Sequence, residues 1–139
     1  MRGILTALVL LAGPAVAKAQ DPELTRAAER ARQAWFTHDV AALVADSPRL
    51  LVQLPRADPS VALGPEQAAA LLDDFLAEAQ EVETDIRAAR EVEQGRGYVE
   101  LQRRYRIAGT QDVRVQSLLL GYRQGGGGWV LVELRVVGG

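Results

Sequence analysis

Apolar residues at Leu24, Ala27, Ala28, Ala31, Ala34 and Trp35 fall on one stripe at helical spacing, with Arg26, Glu29, Arg30 and Arg32 opposite them. Asp21-Pro22 sets a capping side chain ahead of a proline at the first helical position, so the pattern predicts a helix from there to about Phe36. Asp39 caps a second, short helix carrying Val40, Leu43 and Val44, closed by Ser47-Pro48. Residues 49–54 read as a short apolar strand ended by Pro55, and residues 56–60 as a loop. Gly64-Pro65-Glu66 opens a third helix with Ala68, Leu71, Leu72, Phe75, Leu76 and Ala79 on one face and Asp73, Asp74 and Glu78 on the other.

From Val82 the period changes to two. Val82, Thr84, Ile86, Ala88 and Val92 alternate with Glu83, Asp85, Arg87, Glu91 and Glu93, and a second strand follows at 98–107. On that strand Val99, Leu101, Tyr105 and Ile107 share one face, and Glu100, Gln102, Arg104 and Arg106 the other. With a turn at 93–96, Asp85 lies opposite Arg104, Glu83 opposite Arg106, and Ile86 opposite Arg103. Gly109 turns the chain into a strand at 113–122, and Gly125 to Gly128 turn it into a last strand at 129–137. Leu118-Leu119-Leu120 and Trp129 to Val132 lack polar alternation, which predicts strands covered on both faces.

The N-terminus changes the picture of where the protein works. Met1-Arg2-Gly3, an apolar stretch over 4–16 and Ala17-Lys18-Ala19 have the charged start, short apolar core and small-x-small site of a secretory signal peptide. Residues 1–19 are therefore expected to be removed, leaving one domain over 20–139 with no membrane anchor, in the periplasm or outside the cell. The chain has no cysteine, so neither a lipid-attachment cysteine nor a disulfide framework exists, and apolar burial must stabilise the fold. The formal net charge of −2 becomes more acidic once Arg2 and Lys18 leave, the opposite of a nucleic-acid-binding balance.

The order is helix, helix, strand, helix, then four strands. Trp35-Phe36, Asp39 followed by Leu43, the Gly64-Pro65-Glu66 start ahead of Leu72 and Phe75, and the closing Gly128-Trp129-Val130-Leu131-Val132 carry a likeness to known proteins. In these residues and their order the chain resembles the nuclear transport factor two-like superfamily, which includes SnoaL-type cyclases and ketosteroid isomerases, and within it small exported domains of unknown function. The resemblance implies an α+β cone: three N-terminal helices packed on a strongly curved, mostly antiparallel sheet. It also implies a pocket between helices and concave sheet.

Candidate chemistry is sparse. Arg103 falls in phase with the apolar face of its strand, and a buried guanidinium requires a carboxylate, a polar cavity with an anionic ligand, or escape to solvent at the rim. Arg90, placed on the same face of the preceding strand, repeats the anomaly. Trp35, Phe75, Tyr105 and Trp129 are either core or the lining of an apolar pocket, so Trp35, Phe75, Arg90, Arg103 and Tyr105 form the expected ligand pocket. His38, Tyr105 and Glu133 are the candidates for acid–base chemistry, although Asp39 beside His38 already serves as a cap. A lone histidine without cysteine predicts no metal centre, and no motif implies a cofactor. The run Gly125 to Gly128 leads into a strand without a following lysine, so it is a turn rather than a phosphate loop.

Two functions remain open on these residues. One is a non-enzymatic domain that binds a small apolar or anionic ligand or a protein partner and forms a homodimer through its sheet. The other is an isomerase, cyclase or dehydratase acting on a small apolar substrate.

Overall fold

A computed structural model describes residues 21–138; the predicted signal peptide at 1–19 lies outside the described residues. Asp21 caps helix α1 (Pro22–Phe36): its carboxylate accepts from the amides of Glu23 at 2.8 Å and Leu24 at 3.4 Å. The alanine-rich stripe and Trp35 are buried, as the helical spacing predicts. The helix ends in a Schellman arrangement: the His38 amide donates to the Trp35 carbonyl and the Asp39 amide to the Ala34 carbonyl. This places His38 at φ 58°, a left-handed position where histidine is better tolerated than most side chains. Asp39 then caps helix α2 (Val40–Val44) through the Ala42 amide.

Strand β1 (Leu51–Gln53) leads through a turn at 55–57 and a loop to helix α3 (Pro65–Leu76), which buries Ala68, Leu72 and Leu76. The helix is shorter than its pattern predicts. Ala79, expected on its apolar face, instead begins strand β2 (Ala79–Glu93). Strands β3 (Arg96–Ile107), β4 (Val113–Gly125) and β5 (Gly128–Val137) complete one five-stranded sheet in the order β1-β5-β4-β3-β2. The β1–β5 pairing is parallel, and the β2–β3, β3–β4 and β4–β5 pairings are antiparallel. The three helices precede the antiparallel meander and cover its inner face, giving the expected α+β architecture.

The β2–β3 register departs from expectation in a regular way. Glu93 pairs with Arg96 at the turn, as the simple hairpin requires, but β2 then carries three register shifts, and each moves its pairing by one residue. Glu83 consequently pairs with Arg104 rather than Arg106, Asp85 with Gln102, and Thr84 rather than Ile86 with Arg103. The Glu83–Arg104 pairing is a salt bridge at 2.9 Å. By the same shift Arg90 pairs with Tyr98 on the outer face, exposed, with its guanidinium 5.1 Å from the tyrosine ring. The expectation that Arg90 shares the inner face with Arg103 is therefore corrected.

Val99, Leu101, Leu118, Leu120, Leu131, Leu134 and Val136 supply the sheet's half of the core, facing Leu24, Trp35, Val44 and Leu72 from the helices. Leu119, between two buried leucines, faces outward and is partly buried.

Candidate functional site

The buried charge that the sequence poses as a question has a partner inside the protein. Arg103 is 1% exposed, and its Nε donates to Glu81 Oε1 at 3.0 Å while Nη2 donates to Glu81 Oε2. This is a bidentate pair, the geometry in which arginine and carboxylate bind best. The third guanidinium nitrogen, Nη1, donates to Gln116 Oε1 at 2.9 Å, and Gln116 Nε2 donates to the Gly138 carbonyl at 3.3 Å. Aromatic rings surround the cation: the Arg103 guanidinium carbon lies 3.8 Å from the Tyr105 centroid, 5.2 Å from Trp35 and 5.9 Å from Phe75.

Glu81 receives two further donors. Trp35 Nε1 donates to Oε1 at 3.2 Å, and His38 Nε2 stands 3.1 Å from Oε2. With both oxygens already holding arginine protons, the carboxylate is an acceptor, so the imidazole presents Nε2–H to it and keeps Nδ1 as its free acceptor when neutral. The left-handed turn at His38 is what brings its ring to this carboxylate from the end of α1.

The structure thus gathers Trp35, Phe75, Arg103, Tyr105 and His38 around one centre, and leaves two candidates elsewhere. Arg90 is on the opposite face of the sheet. Glu133 pairs with Gly121 and Leu51 on that same outer face, so it is no pocket-side carboxylate. Glu81 was missed because strict alternation from Val82 puts it on the outer face; the bulge between Glu81 and Glu83 turns it inward opposite Tyr105. The demand of a buried arginine for a carboxylate was the available signal, but it does not say which acid answers.

A different region is open. A pocket of about 610 Å³ lies between α1, α2 and the hairpin end of β4 and β5. Ala27, Ala31 and Ala34 line its α1 side, Ala42 and Leu43 its α2 side, and the inward residues Tyr122, Trp129 and Leu131 its sheet side. The small side chains of α1 leave this room beside the helix. Glu29, Arg30, Asp39 and Asp46 contribute the charged part of the lining. Burial pushes the Tyr122 phenol well above its ordinary range, with Arg30 opposing the shift as the charge it feels. Trp129 Nε1 is buried without a partner among the described residues. Of the aromatic residues expected to line a pocket, Trp129 does so, while Trp35, Phe75 and Tyr105 surround Arg103 instead.

The helix-covered, curved sheet is shared with known structures. The ketosteroid isomerase-like protein of Erwinia carotovora atroseptica superposes with a TM-score of 0.69 at 15% identity, over 84% of this chain and 93% of that one. The fold is that of the nuclear transport factor two-like proteins. A DUF4783 family protein from Bacteroides ovatus matches with a TM-score of 0.65 at 7% identity, over 78% of this chain and 91% of its own. An LEH-like epoxide hydrolase of Mycobacterium tuberculosis matches with a TM-score of 0.60 at 15% identity, over 84% of this chain and 82% of its own. No protein-family model and no curated protein matches the sequence. Identities this low establish the nuclear transport factor two-like fold and leave function to the residues themselves.

No group of three or more histidine, cysteine, aspartate or glutamate side chains among the described residues is arranged to hold a metal ion. No helix among them is long and apolar enough to cross a membrane.

Proposed function

We propose that this protein is a non-catalytic binding domain that works outside the cytoplasm and takes a small molecule in the pocket between α1, α2 and the β4–β5 hairpin. The observation that carries the reading is the contrast between its two polar regions. The Glu81 carboxylate holds four protein donors and the Arg103 side chain is sealed, so neither has free valence for substrate. The pocket, by comparison, is open, floored by Tyr122 and Trp129, and of the volume that small-molecule sites occupy. The signal-peptide pattern at the N-terminus supports export, and the exposed Val113 and Val115 on the outer sheet face support a homodimer formed through that face.

Native mass spectrometry of the protein recovered from the envelope fraction of its own cells tests these points together. A retained small molecule, a mass lacking the first 19 residues and a two-subunit assembly are the expected results. An intact N-terminus refutes export, a monomer at micromolar concentration refutes the dimer, and a pocket that retains and binds nothing refutes the binding domain.

One observation favours the alternative of an isomerase, cyclase or dehydratase acting on a small apolar substrate. His38 is oriented by a buried carboxylate while its own side chain remains 28% exposed, the arrangement of a positioned base. In that reading a turnover found with small ketones, epoxides or hydroxy compounds disappears in His38→Gln while the fold persists.

A further inference from the structure

The charge pattern around the α1–α2 pocket narrows the class of ligand, given the reading of that pocket as a binding site. Its sheet side presents Tyr122, a buried residue whose phenolic hydroxyl is a donor and has no hydrogen-bond partner among the described residues. Arg30, on α1, lines the same pocket. Arg30 is exposed and forms no salt bridge among the described residues, unlike its neighbours Arg26 and Arg32.

The acids that line the pocket are differently disposed. Glu29 is spent on Arg32, accepting from Nε at 3.0 Å and from Nη2 at 2.6 Å, and that hydrogen bond holds its carboxyl below the usual range. Asp39 accepts from the Ala42 amide at the start of α2. Asp46 is exposed just past the end of α2 and also lines the pocket. Arg30 on α1 and Tyr122 on β4 are thus unengaged donors, and the apolar lining includes Ala27, Ala31, Leu43, Leu131 and the Trp129 ring.

We propose that the pocket binds a small amphiphilic carboxylate, its head group received by the Arg30 guanidinium and the Tyr122 hydroxyl and its apolar body lying against the alanine stripe of α1, Leu131 and Trp129. Guanidinium and phenol together offer a carboxylate charge-assisted hydrogen bonds that an alcohol accepts less well and an ammonium not at all. The other acids of the lining, Glu29, Asp39 and Asp46, disfavour a second anionic group, which sets the class as monocarboxylate.

The test uses the mature chain and three probes with one apolar tail: octanoate, octanol and octylammonium. Binding is followed by calorimetry and by the indole N–H resonance of Trp129, identified by its loss in Trp129→Phe. Octanoate is expected to saturate and to shift that resonance, with octylammonium at least about ten-fold weaker and octanol between them. Arg30→Gln should weaken octanoate about ten-fold and leave octanol unchanged, and Tyr122→Phe should weaken octanoate severalfold. If octylammonium binds as tightly as octanoate, or octanoate is indifferent to Arg30→Gln, the carboxylate inference falls while the pocket reading stands. If none of the three shifts the Trp129 resonance, both fall.

Discussion

The indole Nε1 of Trp35 and the carboxylate of Glu81 meet at 3.2 Å although 46 positions separate them in the chain. The bond ties the last turn of α1 to the first residues of β2, and through Glu81 to Arg103 on β3 and Gln116 on β4. One carboxylate and the arginine it holds therefore link four elements, α1, β2, β3 and β4, in the interior of the cone.

Such a buried pair is costly to break and less costly to replace. Glu81→Ala is expected to destabilise the protein by about 3–5 kcal/mol, because Arg103 is left charged and buried without its carboxylate. The double variant Glu81→Leu with Arg103→Met should recover most of that loss, since apolar residues of similar volume remove both desolvation penalties. Urea unfolding of Glu81→Leu, Arg103→Met and the double gives the coupling; additive losses would show that the pair is not the unit of stability.

His38 allows backbone and side-chain contributions to be separated. His38→Gly and His38→Ala both delete the contact with Glu81, but only alanine opposes the left-handed backbone at φ 58°. The alanine variant should be the less stable of the two by about 1–2 kcal/mol. Equal stabilities would mean that the turn relaxes when the imidazole is gone.

The alkaline limb of stability should report on Tyr122. Its phenol stays protonated in the folded protein beyond the range where an unfolded tyrosine ionises, near pH 10. Above that pH the unfolded chain releases a proton that the folded chain keeps, so stability falls as pH rises, by up to about 1.4 kcal/mol per unit for one group. Below pH 10 this contribution is fully present. Tyr98 is shifted in the same direction by burial, so the contribution of Tyr122 is the difference between wild type and Tyr122→Phe in urea unfolding from pH 8 to 11. Parallel curves for the two proteins would contradict it.

Gly97 has no room for a side chain. A Cβ there would stand 2.9 Å from Leu24 Cδ1 and 3.3 Å from Trp129 Cζ3. Gly97→Ala should cost about 1–3 kcal/mol through overpacking and displace the Trp129 ring that floors the pocket. Thermal unfolding gives the first effect, and a changed Trp129 indole resonance the second.

The element order, both caps and the cone were legible because each rests on short-range patterns: the Asp21-Pro22 start, the alanine stripe, and the alternation through Val99 and Leu101. The anomaly at Arg103 was legible for the same reason. Its partner was not, since every bulge in β2 inverts the alternation beyond it, and nothing in the run from Gln80 to Glu83 says where the extra residue goes. The same inversions misplaced Arg90. The pocket was hidden for another reason: the alanines that create its volume read as ordinary helix core, and only the approach of α2 and the β4–β5 hairpin shows which of them face open space.

Strand β2 is an edge strand of 15 residues, and an edge that long is a template on which another chain can build. Its three register shifts interrupt any straight run of free backbone groups, and Glu83, Arg87 and Glu91 are exposed charges along it. The irregularity that turns Glu81 inward toward Arg103 therefore also guards against aggregation. A β2 strand that kept every residue but paired without the shift between Glu81 and Glu83 would turn Glu81 to the outer face and leave Arg103 buried without its carboxylate.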